Sequence, residues 1–251
     1  MHGRCLHTLF LLAALVFAPD ADRIWSAESL DQSVYADLLQ KYVTNGEVSY
    51  QGFKKEEASL DRYLGELEKT DTGRLSRNEQ LAFYINAYNG WTIKLILSKY
   101  PNIKSIKELG SLFATPWKKK ICRIDGKLLS LDDIEHGIIR PRFQDPRIHF
   151  AVNCAAKGCP PLLSEPYQGS EIDRQLEGVV RAFINDPARN RLEGNILYVS
   201  KIFDWYGEDF KEGVIGFFLK YGEGDLKKDL TSRKDRVRIE YLDYDWSLNG
   251  S

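Results

Sequence analysis

The sequence predicts an α+β fold in a single domain, with helices packed on a small, largely antiparallel sheet. Amphipathic helical stretches recur along the chain, and two apolar runs are folded back by Asp125-Gly126 and by Glu193-Gly194-Asn195, as in β-hairpins. No Pro/Gly/Ser-rich linker divides the 251 residues, of which 43% are hydrophobic and 12% aromatic, enough for one ample core. The formal net charge of −1 gives no electrostatic reason to expect nucleic acid or an anionic membrane as partner.

Residues 1–27 read as a secretory signal peptide. MHGR supplies a basic start, residues 9–18 an apolar run too short for a finished membrane span, and Ser26-Ala27 small residues for cleavage before Glu28. The expectation is a periplasmic or secreted domain over 28–251 with no stable membrane span after cleavage. Cys5 precedes the apolar run. Cys122, Cys154 and Cys159 would remain, and in an oxidising compartment Cys154 and Cys159, close in one loop, are the pair expected to join, leaving Cys122 as a buried thiol.

Along that domain, Ser29 and the stripe Leu30, Val34, Leu38 and Val43 predict a capped helix ended by Asn45-Gly46. EVSYQGF reads as a short extended piece, and Leu60, Leu64 and Leu67 as the inner stripe of a second helix. Residues 76–98 predict a third helix that is apolar nearly all round, yet carries Asn86 and Asn89 three apart on one face. Buried amides need partners, so these two either tie down neighbouring loops or line a site. Residues 119–131 read as the first hairpin. LDDIEHGIIR follows as a short helix closed by Pro141, with Asp132, His136 and Arg140 along one line and Glu135 nearer the apolar side. A helix ended by Pro187, the second hairpin, a helix in DWYGEDFKEGVIGFFLKYG and a closing strand in RVRIEYLDYDW complete the chain.

RIHFAVNCAAKGCPPLL, residues 147–163, is the segment with the densest chemistry. Ile148, Phe150 and Val152 alternate with His149, Ala151 and Asn153, which predicts a strand that delivers polar residues to a loop constrained by Gly158, Pro160 and Pro161. Together FYINAYNGWTIKLIL, LLSLDDIEHGIIRPRFQDPRIHFAVNCAAKGCPPL and VSKIFDWYGEDF resemble the domain-of-unknown-function family 547 (DUF547), over residues 48–246. The resemblance implies one domain, and places Asn86, Asn89, Glu135, His136, Arg140, His149, Cys154 and Cys159 at motif positions. It implies no activity.

Three chemistries stay open for these residues. In the first, Cys154 is a thiol nucleophile, with His136 or His149 as base and Glu135, Asp132 or Asn89 orienting the ring, in a papain-like or transglutaminase-like arrangement. In the second, a Cys154–Cys159 disulfide shapes a binding loop. In the third, Cys154, Cys159, His136 and His149 hold zinc. Acid–base work by Glu135 and His136 needs no cysteine and is compatible with a disulfide. The functional expectation is a thiol-dependent hydrolase or acyltransferase for an amide or ester bond, with Cys154 as nucleophile, His136 as base, Glu135 supporting the ring, and Asn89 with the backbone amides after Cys154 holding the oxyanion. The alternative is a non-catalytic periplasmic binding module built on the disulfide loop. The substrate would be a small molecule, peptide or cell-envelope component. No nucleotide or other cofactor is expected, since no phosphate-binding Gly-rich loop or dinucleotide fingerprint occurs.

Overall fold

The structure is a computed structural model that describes residues 30–111 and 114–251. The expected signal segment, Cys5 and the expected cap Ser29 lie outside the described residues. The first helix, α1 (Ser33–Tyr42), starts after Gln32, which makes no side-chain capping bond. It runs into a two-stranded ribbon, β1 (Val43–Thr44) and β2 (Glu47–Val48). EVSYQGF is extended only at its start. Ser49 accepts a hydrogen bond from the Gly52 N–H and turns the rest into α2 (Tyr50–Lys55). Next come α3 (Glu57–Lys69), burying Leu60, Tyr63, Leu64 and Leu67, and α4 (Arg77–Leu97). Ser76 and Glu79 form a reciprocal capping box at the start of α4, and the helix is buried almost throughout.

Strands β3 (Cys122–Ile124) and β4 (Lys127–Leu129) form the first expected hairpin. Asp125 and Gly126 both have positive φ, 50° and 69°, as a type I′ turn requires. Pro141 does not close the helix that follows. The chain forms a π-helix over Asp133–Ile139 and continues into α5 (Arg140–Phe143), with Pro141 inside. A proline cannot donate to the carbonyl four residues back and crowds it, and a wider turn just before it relieves both problems.

The predicted strand at 148–153 is instead a 3-10 turn, Pro146–Phe150, followed by an irregular loop. Asp145 caps the turn by accepting from the Arg147 N–H, and Pro146 occupies its first position, where no donor is needed. The apolar alternation has another cause: Ile148 enters one hydrophobic cluster and Phe150 a second. The first cluster gathers α1 to α4 with the hairpin and π-helix, and the second gathers the C-terminal elements. α6 (Ile172–Ile184) crosses between them, with Leu176 in the first and Phe183 in the second.

Strands β5 (Arg191–Glu193) and β6 (Ile196–Val199) make the second hairpin. The single helix expected in DWYGEDFKEGVIGFFLKYG is broken into α7 (Ile202–Trp205), a 3-10 turn at Gly207–Asp209 and α8 (Gly213–Tyr221). A further helix, α9 (Gly224–Arg233), went unpredicted. Strand β7 (Arg238–Tyr241) then pairs with β6 in parallel. The fold is thus α+β, with its strands divided among small sheets rather than one. The last residues return to the first lobe. Lys157 and Gly158 donate to the Ser247 and Asp245 carbonyls, Asn249 donates to Ala155, and Val48 donates to Asn249. This return clamps the cysteine loop from behind and brings Tyr244 and Trp246 beside it.

Candidate functional site

Six segments meet at one cleft of about 460 Å³: α4 at Tyr88, residues 115–118, the π-helix with Asp132 before it, the 147–163 loop, the α7 region and the C-terminal return. Glu135, His136, His149, Cys154 and Cys159 all line it, together with Asp132. Its walls are strongly aromatic, with Tyr88, Trp117, Trp205, Tyr206, Tyr244 and Trp246. The cleft thus gathers five of the residues singled out in the sequence, although the elements that carry them differ from those expected.

Asn89 is the exception. Its Nδ2 donates to the Ala151 carbonyl at 3.0 Å and its Oδ1 accepts the Asn153 N–H at 2.8 Å, so its amide serves the 148–153 backbone as a neighbouring strand would. It does not line the cleft, and both ends of its amide are engaged. Asn86 makes the same kind of bracket one turn away. It donates to the Tyr167 carbonyl at 2.8 Å and accepts the Tyr167 N–H at 2.9 Å, with a further bond to Gln32. The amides after Cys154 are engaged as well: Ala155 N–H donates to Asn153 Oδ1, and the Lys157, Gly158 and Cys159 N–H groups donate to backbone carbonyls.

Cys154 and Cys159 form a disulfide, and Cys122 is a buried free thiol whose pKa burial pushes far up. The disulfide occupies both sulfurs, which removes them as zinc ligands, and it leaves Cys154 without a thiolate in this state. Among the described residues, no group of three or more His, Cys, Asp or Glu side chains is placed to hold a metal ion. No helix begins at Cys154, so the local geometry of papain-like nucleophiles is missing here.

A chain of four ionisable groups, Arg140, Asp209, His149 and Glu135, reaches the cleft, and the last two line it. Arg140 binds Asp209 through two bonds, Nε to Oδ2 at 2.7 Å and Nη2 to Oδ1 at 3.1 Å, and also binds Glu208 at 2.6 Å. Burial opposes ionisation of Asp209, but the Arg140 and His149 hydrogen bonds outweigh it and hold its pKa below the usual value. Asp209 Oδ2 lies 2.7 Å from His149 Nε2, so that nitrogen carries the proton and donates. His149 is only 2% exposed, and Tyr206 stacks on it at 3.9 Å. Burial lowers its pKa and wins over the opposing pull of Glu135 and Asp209, so the ring is neutral at neutral pH. Its Nδ1 is then a lone-pair acceptor.

That acceptor faces Glu135 Oε1 at 4.0 Å, and neither atom has a hydrogen-bond partner. Glu135 is 5% exposed, and both residues of the pair line the cleft. Burial and then the Glu135 carboxylate push the Tyr88 and Tyr206 hydroxyls well above their ordinary range, which keeps both protonated.

His136 is placed differently. Its Nδ1 lies 3.0 Å from Arg140 Nη1, and a guanidinium only donates, so Nδ1 accepts and the neutral ring carries its proton on Nε2. Nε2 is 3.9 Å from Asp132. The expected base is thereby a donor, and the free acceptor belongs to His149.

Asp209, Tyr206, Tyr244 and Trp246 were not among the expected site residues. The signal for Asp209 was the acidic pair Glu208-Asp209 inside the motif FDWYGEDF, a motif read for the family resemblance and as the start of a helix. Tyr244 and Trp246 sit in a segment read only as a closing strand, and their approach to the cleft depends on the C-terminal return.

The fold is a helix-rich α+β one, with buried ionisable groups at an aromatic cleft. Residues 72–184 match the model of the family described as Protein of unknown function, DUF547. The matched region holds Asn89, Glu135, His136, His149 and both loop cysteines, while Asp209 and Tyr244 lie beyond it. No curated protein and no solved structure matches the chain. Among the described residues no helix is long and apolar enough to cross a membrane.

Proposed function

We propose that the cleft is the active site of a hydrolase or acyltransferase that moves protons through Glu135 and His149 at an amide or ester bond. The observation that carries the reading is the pair of unpartnered buried acceptors, Glu135 Oε1 and His149 Nδ1, facing one another at 4.0 Å. Buried polar atoms are otherwise paired in folded proteins, and perturbed titratable groups facing a cleft mark sites of proton transfer. A proton taken by Glu135 from an attacking water passes to His149 Nδ1, where Asp209 and Glu135 flank the resulting imidazolium. It returns through Glu135 to the leaving alcohol or amine. His136 Nε2–H is the donor available to the developing oxyanion.

This reading moves the base from His136 to His149 and the nucleophile from Cys154 to water. The thiol-dependent form needs the disulfide opened first. A second reading, a binding module without chemistry, is favoured by the aromatic lining, which suits stacking on a ligand.

Hydrolysis of a panel of p-nitrophenyl esters and aryl amides by the wild type and two variants separates these readings. Glu135→Gln is expected to lose on the order of 10²- to 10⁴-fold in rate, the usual worth of a general acid–base. The double variant Cys154→Ala/Cys159→Ala is expected to keep most of the rate. Loss with the cysteine variant restores the thiol reading. Absence of turnover in all three proteins, with ligand binding retained, gives the binding module.

A further inference from the structure

The disulfide sits where a purely structural one has no need to be, on the wall of the cleft. Its two sulfurs are not equivalent. Both line the cavity, but Cys154 is partly exposed whereas Cys159 is 3% exposed. Two donors converge on the buried sulfur: the Cys154 backbone N–H at 2.8 Å and the Tyr244 hydroxyl at 3.2 Å. The Tyr244 hydroxyl is also 3.2 Å from Cys154 Sγ, so it spans the bond. The loop is shaped to keep this contact. A Cβ on Gly158 would come within 2.9 Å of the Tyr244 ring, and only glycine allows the loop to pass so close.

We infer that the Cys154–Cys159 disulfide is a thiol–disulfide exchange site for thiol substrates entering the cleft. Exchange proceeds by attack of a thiolate on the accessible sulfur, and the bond that breaks is the one whose departing sulfur is better stabilised as an anion. Here the substrate thiolate attacks Cys154 Sγ, a new S–S bond forms to Cys154, and Cys159 leaves as a thiolate. The Cys154 N–H and the Tyr244 hydroxyl already point at the position where that negative charge arises. A second substrate thiolate then attacks the substrate sulfur of the mixed disulfide and releases Cys154 as a thiolate. Two protein sulfurs are reduced, two substrate thiols are oxidised to one disulfide, and no further oxidant or reductant is needed. The inference does not rest on the hydrolase reading, since hydrolysis is tested in a variant that has neither cysteine.

The test uses the oxidised full chain with reduced glutathione under native conditions, quenched with iodoacetamide and mapped by mass spectrometry. The expected species carries glutathione on Cys154 and the alkyl group on Cys159. Adduct on Cys159, or equal labelling of both, overturns the assignment of roles. A disulfide that reacts only at denaturant concentrations that unfold the chain overturns the exchange site altogether. Tyr244→Phe removes one of the two donors to the leaving sulfur and is expected to slow reduction by dithiothreitol about tenfold, the scale of one hydrogen bond to a charged group. An unchanged rate in a folded Tyr244→Phe protein contradicts the stabilised leaving group. The wild-type adduct map stands whether or not that variant folds.

Discussion

The two sides of the 148–153 segment are built from the same kind of material and left in opposite states. On the α4 side, Asn89 meets the backbone with a matched donor and acceptor, and Asn86 does the same at Tyr167. On the cleft side, Glu135 and His149 are as deeply buried, yet their facing atoms have no partner. The difference teaches which buried polar residues are scaffold and which are poised for work. A closed hydrogen-bond bracket fixes a loop, and an open pair of acceptors keeps the capacity to take up a proton. Both kinds sit within the region that carries the DUF547 match, so motif membership alone does not tell them apart.

The largest break in this comparison comes from the scaffold side. Asn89→Ala strands the buried Ala151 carbonyl and Asn153 N–H, and about 2–5 kcal/mol of stability should be lost, read from the denaturant midpoint. A loss below about 1 kcal/mol would show that the bracket is not what holds the segment.

The disulfide comes next. The Cys154→Ala/Cys159→Ala variant should lose about 2 kcal/mol, because so short a loop restrains the unfolded chain only modestly. Calorimetry checks this, and the hydrogen bonds from residues 247 and 249 to the loop should keep it in place. A variant that unfolds entirely would make the disulfide part of the scaffold instead.

The smallest effect is on pH dependence and belongs to the open side. The pKa of His149 is lowered in the fold from the ordinary value of 6.5. The unfolded chain therefore takes up a proton as pH falls below 6.5 while the folded chain resists, and the stability this histidine contributes is intact above 6.5 and declines below it. The slope is bounded by one proton, about 1.4 kcal/mol per pH unit. His149→Gln should flatten it between pH 6.5 and the lower folded value, as followed by urea titrations at a series of pH values. The Asp209 contribution has the same sign and lies at lower pH, since its pKa is lowered from 3.8.

Much of this was legible because local chemistry decided it. The continuous apolar surface of α4 and the Asp125-Gly126 turn each carry their own signal and formed as expected, and the capping box at Ser76 and Glu79 is a local signal that went unread. The cysteine pair was legible from spacing and the need of two buried asparagines for partners from burial. What failed depended on packing between distant segments. Alternation at 148–152 reflects two hydrophobic clusters on opposite sides rather than a pleated strand, although Asp145-Pro146 was already a helix-start signature. The roles of the two histidines were illegible for the same reason. Arg140 fixes one tautomer and Asp209, 60 residues from His149, fixes the other.

The most direct test of the comparison replaces Glu135 by glutamine and reads stability and turnover on the same preparation. Glu135 Oε1 has no partner to lose, so the denaturant midpoint should stay unchanged or rise by about 1 kcal/mol, while ester or amide turnover falls on the order of 10²- to 10⁴-fold. A midpoint that drops as far as that of Asn89→Ala, with turnover retained, would make Glu135 one more piece of scaffold and contradict the account.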